Sequence, residues 1–204
     1  MLTLNKISNN LDFSLIAVWK DANPYIKKIE NQIGKLFEIK HKIKVNWSKK
    51  NFALNALRFY EGHWCGSSDI FSDDFGHTKK IGSTEFIIFI VIDRKPKYLY
   101  LPSVSGSIEL CNVNIVKFKE KIRNFVYEKT GQKYSLHSTN NYNEFCFQFP
   151  ILFGIENTKL LLENSSLNCK GIFNHDLIGS SGWDSWEEVF EILNLTCNYV
   201  VFRG

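Results

Sequence analysis

Asp93 closes a run of seven apolar residues, Phe86 to Ile92, and is followed by the turn-forming Arg94-Lys95-Pro96-Lys97. A carboxylate placed where a buried strand leaves the core can orient a substrate hydroxyl or hold a metal. His137 stands among small hydroxylated residues in Tyr134-Ser135-Leu136-His137-Ser138-Thr139-Asn140-Asn141, just ahead of a helical segment. An imidazole there suits acid–base work or contact with an anion, although a lone His is more often structural. Arg58 ends an amphipathic stretch before a loop and suits a phosphate. Asn23, directly before Pro24, fits a helix N-cap whose N–H groups take up an anion, without a Gly-rich loop to strengthen that reading. Asn114, Ser138 and Thr139 add amide and hydroxyl groups. The expectation is one shared site: Asp93 and His137 catalytic, with Arg58, Asn23, Ser138, Thr139 and Asn114 holding substrate or phosphate. Such chemistry requires all of them within reach of one bound molecule.

Metal-ligand residue types gather in the loop at 62–77, namely His63, Cys65, Asp73, Asp74 and His77. Their spacing matches no standard zinc arrangement, and no metal ligands are assigned. A divalent ion is the only cofactor left open.

The elements that must position these groups follow from the apolar patterning. Phe86–Ile92 has no polar face and reads as a strand covered on both sides near the centre of a sheet. Phe13–Trp19 is a first buried strand, followed by a helix on which Ile26, Ile29, Ile33 and Leu36 share one face. Phe37 to Trp47 alternates, with Phe37, Ile39, His41, Ile43, Val45 and Trp47 on one face and Lys40, Lys42 and Lys44 on the other. The lysines read as protection of an exposed strand or, more sharply, as a phosphate-tracking surface; His41 reads as a core histidine. Ser48–Tyr60 is helical. Lys97–Pro102 and Ser107–Ile115 suit an antiparallel meander, and Val116–Lys129 is a basic helix closed by Gly131. Asn141 and Glu144 have capping-box spacing before a further helix. The fold class expected is α/β with an α+β tendency: a mixed sheet around a buried central strand 86–92, with helices packed on it. Residues 1–155 form this core, and 156–204 a small helical C-terminal appendage.

The 204-residue chain is 44% hydrophobic, ample for one good core, and its 25 basic and 21 acidic residues leave a net charge of +4. That mild excess permits an anionic ligand, whereas nucleic-acid modules concentrate their charge more strongly; nucleic acid is disfavoured as a partner. Five scattered cysteines without a CxxC pair, a polar N-terminus and no long apolar run point to a cytoplasmic location and no membrane span.

Several fragments carry a family resemblance. They are Ile16-Ala17-Val18-Trp19, Ala22-Asn23-Pro24-Tyr25, Arg58-Phe59-Tyr60, Asp93 with Pro96 and Tyr98, Val113-Asn114, Leu136-His137-Ser138-Thr139-Asn140 and Gly182-Trp183-Asp184-Ser185. In these the chain resembles the N-terminal portion of multidomain proteins from microbes and large viruses. There, a similar segment precedes a nucleotidyltransferase-like domain linked to surface-glycan or sugar-phosphate pathways. Two departures stand out: Thr130-Gly131-Gln132-Lys133-Tyr134 replaces a glycine-rich run before the His, and the acidic metal–nucleotide motif belongs downstream of Tyr199-Val200-Val201-Phe202. The resemblance implies an accessory domain without the transferase centre.

Two functions therefore stand against each other. One is a binding or transfer domain for a phosphorylated or nucleotide-linked sugar, with an anionic small molecule as partner. The other is a non-catalytic protein-interaction module, with Trp183-Asp184-Ser185-Trp186 in the C-terminal segment or the Tyr98/Tyr100 face as its contact surface.

Overall fold

A computed structural model of the chain describes residues 12–60, 80–102, 108–162 and 172–173. Among these, β1 (Asp12–Val18) leads through a 3-10 turn, Lys20–Tyr25, into α1 (Ile26–Leu36) and β2 (Glu38–Asn46). Then follow α2 (Phe52–Tyr60), β3 (Glu85–Asp93), the short strands β4 (Tyr98–Pro102) and β5 (Ile108–Asn112), and α3 (Val113–Thr130). β6 (Leu136–Ser138), α4 (Tyr142–Leu162) and β7 (Ile172–Phe173) complete the described set. No helix among the described residues is long and apolar enough to cross a membrane.

The fold is α/β, and among the described residues its main sheet has five strands in the order β6-β1-β3-β2-β7. β3 is the middle strand and pairs antiparallel with both β1 and β2, while β7 runs parallel to β2. β1 and β2 are thus parallel to each other with β3 inserted between them. The strand expected at the centre is there because its two faces serve two separate cores. On one face Phe86, Ile88, Ile90 and Ile92 join Phe13, Leu15 and Ala17 beneath α2 and α4. On the other, Phe89 and Val91 join Ile16, Val18 and Leu136 beneath α1 and α3. Ile90 is fully buried, and its truncation to Ala would cost about 2–5 kcal/mol through lost transfer energy plus an unfilled cavity.

Three details depart from the sequence patterning. The alternation of β2 does not keep one face, because a bulge between Ile39 and His41 shifts the register against β3. An extra residue there turns the strand over: Phe37 and Ile39 pack with the α1/α3 core, and Ile43, Val45 and Trp47 with the α2/α4 core. The meander does not extend the main sheet either; among the described strands β4 and β5 pair only with each other. α4, finally, continues past Pro150 to Leu162 with a break at Gly154, where φ is 80°. The expected domain boundary after residue 155 falls beside that break, and nearly all of 156–204 lies outside the described residues, including Trp183-Asp184-Ser185-Trp186.

The lysine ladder of β2 is matched by carboxylates. Lys40 pairs with Glu38, Lys42 with Glu30 of α1, and Lys44 with Glu85 of β3 at 2.8 Å. Exposed pairs of this kind add little stability, but they neutralise the face that a phosphate backbone would have followed.

Candidate functional site

β1 and β3 pair so that Asp12 lies opposite Asp93, both buried. Side chains directly opposite in an antiparallel pair are about 5 Å apart at Cβ, so two carboxylates share one small volume. Amides keep them apart. Asn112 Nδ2 donates to Asp12 Oδ2 at 2.7 Å and to Asp93 Oδ2 at 3.0 Å, while Asn112 Oδ1 accepts from the Asn114 N–H and caps α3. Asn114 Nδ2 donates to Asp93 Oδ2 at 2.8 Å and to the Lys95 carbonyl, and the Lys95 N–H closes the turn on Asp93 Oδ1. Burial pushes the Asp12 carboxyl above its ordinary range, against the pull of hydrogen bonds from Tyr98 and Asn112, with Asp93 repelling from across the strand pair. Asp93 and Asn114, both expected at the site, are brought together here. Asp12 and Asn112 complete the cluster; they are missed from sequence because only the register of β1 against β3 puts Asp12 opposite Asp93.

His137 is elsewhere. It pairs with Ala17 on β6, five positions along β1 from the Asp12–Asp93 pair, or about 17 Å of strand. It also points to the other face. Leu136 belongs to the α1/α3 core, so strand alternation turns His137 to the α2/α4 side. There its ring meets Phe59 and Tyr60, each with centroids 5.1 Å away. Asp93 stands with Val91 and Phe89 on the α1/α3 side. The single site expected from Asp93 and His137 is not formed, because an intact sheet separates them.

His137 Nε2 lies 3.0 Å from Gln148 Oε1 and 3.5 Å from Glu144 Oε1. Gln148 spends its amide N–H groups on the Phe59 carbonyl and on Glu144, which leaves its oxygen for His137 and assigns the proton to Nε2. Glu144 also accepts from the Asn140 N–H, and Asn141 Oδ1 caps the Glu144 N–H at 2.9 Å. The expected capping pair is present, with the return bond displaced by one residue from Asn141 to Asn140.

The remaining expected residues are dispersed. Thr139 Oγ1 accepts from the Leu15 N–H at 2.9 Å and seals the end of β6 on β1. Ser138 is buried, and its hydroxyl has no hydrogen-bond partner among the described residues. Asn23 is not an N-cap: the chain enters α1 through a 3-10 turn containing Pro24, and the Asn23 side-chain oxygen is buried without a partner among the described residues. Arg58 is on α2, with its side chain outside the described set, as is the whole loop at 62–77. Among the described residues no group of three His, Cys, Asp or Glu side chains is arranged to hold a metal ion.

A basic cluster lies along β6 instead. Among the described strands this one is the sheet edge, and its alternate carbonyls face away from β1. Arg123 Nε donates to the Leu136 carbonyl at 2.8 Å, and Lys119, one turn earlier on α3, reaches the Ser138 carbonyl at 3.5 Å and Asn140 Oδ1. Lys80 Nζ sits 4.7 Å from the Tyr134 ring centroid, and the Arg123 guanidinium 5.9 Å from the same ring. Burial brings the Lys119 amine down to about 8, with Glu144 pulling the other way and Arg123 adding to the drop. Burial, and then Arg123, likewise lower Lys80. Among the described residues none of these three cations forms an ion pair. The sequence signal for the cluster was the basic helix on α3; its role at the edge strand depended on where β6 would lie.

Compared with known protein families and with curated proteins, the chain matches none.

Proposed function

We propose that the protein binds a phosphate-bearing small molecule at the β6 edge, through Lys80, Lys119 and Arg123. One observation carries this reading: three cations lie along that edge, two of them against a single aromatic ring, and among the described residues none of them forms an ion pair with a carboxylate. Like charges crowded in a partly desolvated place are unfavourable until an anion joins them. Tyr134, exposed beside Lys80 and Arg123, adds a planar surface for a sugar or base. The sequence resemblance narrows the ligand class to phosphorylated or nucleotide-linked sugars, and binding, not transfer, suits a site beside which His137, the nearer of the two described imidazoles, is engaged with Gln148.

Thermal shift tests the proposal with inorganic phosphate, a hexose phosphate and a nucleotide-linked hexose. A ligand at one hundred times its dissociation constant adds about 2.7 kcal/mol. The expected result is stabilisation that Lys80→Gln and Lys119→Gln each weaken at least tenfold in affinity. No shift with any of the three ligands, or shifts untouched by both substitutions, overturns it.

A second reading, a protein-interaction module, is favoured by the hairpin of β4 and β5, where Tyr100 is 72% exposed and Leu99 57%.

A further inference from the structure

Tyr100, Leu110 and Ile108 share one face of the β4–β5 hairpin, since Tyr100 pairs with Leu110 and Pro102 with Ile108. All three are exposed, as is Leu99 on the opposite face. The only charged residue on the two strands is Glu109.

The two edges of this hairpin differ. The outer edge of β5 is in use: the Asn112 N–H donates to the Asn140 carbonyl at 2.7 Å, and the Leu110 carbonyl accepts from Asn141 Nδ2 at 3.1 Å. Leu110 and Asn112 therefore turn their backbone groups away from β4. In an antiparallel ladder the residues opposite them, Tyr100 and Tyr98, must turn theirs away from β5. These groups line the outer edge of β4, which pairs with no other described strand. An edge of this kind, without lysine or bulge, is a template for another strand.

We infer that β4 pairs with the β4 of a second copy of the chain, antiparallel and centred on Tyr100. In that register the two Tyr100 residues exchange both backbone bonds. Each Tyr98 N–H meets the Pro102 carbonyl of the other copy, and Leu99 lies opposite Leu101. Pro102 has no N–H to offer, so the pairing stops at each end after these residues; a longer extended peptide would lose a bond in mid-strand. The contact is closed and isologous. It joins the two Tyr100, Leu110 and Ile108 faces into one four-stranded surface, and the near absence of charge removes both repulsion between copies and a foothold for a charged partner. Five residues of strand bury less than the roughly 800 Å² per partner of a standard interface, so the dimer is weak and depends on concentration. The inference does not depend on phosphate binding at β6.

Sedimentation velocity on the full chain, from low micromolar to near-millimolar concentration, tests it. The weight-average mass should climb from monomer toward dimer. Tyr100→Pro removes the outward N–H without touching a β4–β5 bond, and Tyr100→Lys or Tyr100→Glu alone sets like charges against each other. Each variant should stay monomeric with an unchanged far-ultraviolet circular dichroism spectrum, and an equimolar mixture of Tyr100→Lys and Tyr100→Glu should recover the dimer. A wild-type chain that stays monomeric, single variants that still dimerise, or a mixture that does not recover would each overturn the pairing.

Discussion

Asp12 and Asp93 face each other across β1 and β3, and a single nitrogen, Asn112 Nδ2, holds both carboxylates at 2.7 and 3.0 Å. The same side chain caps α3 through its oxygen. One amide thus fixes the spacing of the two strand ends and the start of the helix laid over them. Asn112→Ala removes a cap and leaves buried carboxylate oxygens short of donors, which together should cost about 2–4 kcal/mol. Asn114→Ala removes one bond from Asp93 and leaves the cap intact, so about 1 kcal/mol is expected. Urea unfolding of both variants checks the order; equal losses would mean that Asn112 does not bridge the pair.

The same pair sets a pH dependence. Burial raises the folded-state Asp12 pKa above its ordinary 3.8. On raising the pH, the unfolded chain gives up this proton first and the folded protein later. Between the two values the folded state holds more protons, so stability falls as pH increases through that window. Asp12→Asn has no such component. As the pH rises from the ordinary carboxylate range, the difference in urea midpoint should move in favour of the variant. A difference that stays flat would show that Asp12 titrates alike in both states.

How far the sequence discloses this arrangement differs from element to element. The buried run ending at Asp93 announces the central strand, since seven apolar residues with no polar face have few other places to go. Gly131 likewise marks the end of α3. The β2 bulge left no mark on the alternation from Phe37 to Trp47, because inserting one residue merely exchanges one apolar face for another when both faces have a core to enter. The site is hard to see in the sequence for a related reason. Asp93 and His137 both lie at strand positions, yet whether two strand residues meet depends on register and on the parity of the side chain, and neither is local information. Asp93 and Asn114 were legible as a pair of polar groups near one strand end; the sheet standing between Asp93 and His137 was not.

Gly131 offers a test of the backbone alone. It ends α3 with φ of 74°, its N–H bonds the Tyr127 carbonyl at 2.8 Å, and a Cβ there would meet no atom within 4 Å. Any loss on substitution is therefore conformational. Gly131→Ala should destabilise by about 1 kcal/mol and Gly131→Asn by less, because Asn tolerates the left-handed region. Thermal midpoints ranking Ala below Asn below Gly are expected; a neutral Gly131→Ala would mean that the cap relaxes freely.

Lys119 ties the proposed phosphate site to pH. Burial brings its amine from the ordinary 10.5 to about 8, so in the free protein it begins to lose its proton just above neutrality. A bound phosphate would favour the charged form and raise that value. Binding near and above pH 8 must then take up a proton, and affinity must fall as the pH rises through about 8. Calorimetric titration with inorganic phosphate in two buffers of different ionisation enthalpy reads the uptake directly. Lys119→Arg keeps the charge at every pH tested and should reduce both the uptake and the fall in affinity above pH 8, even if its longer fork weakens binding overall. An unchanged pH profile in Lys119→Arg would place the titrating group elsewhere and remove Lys119 from the site.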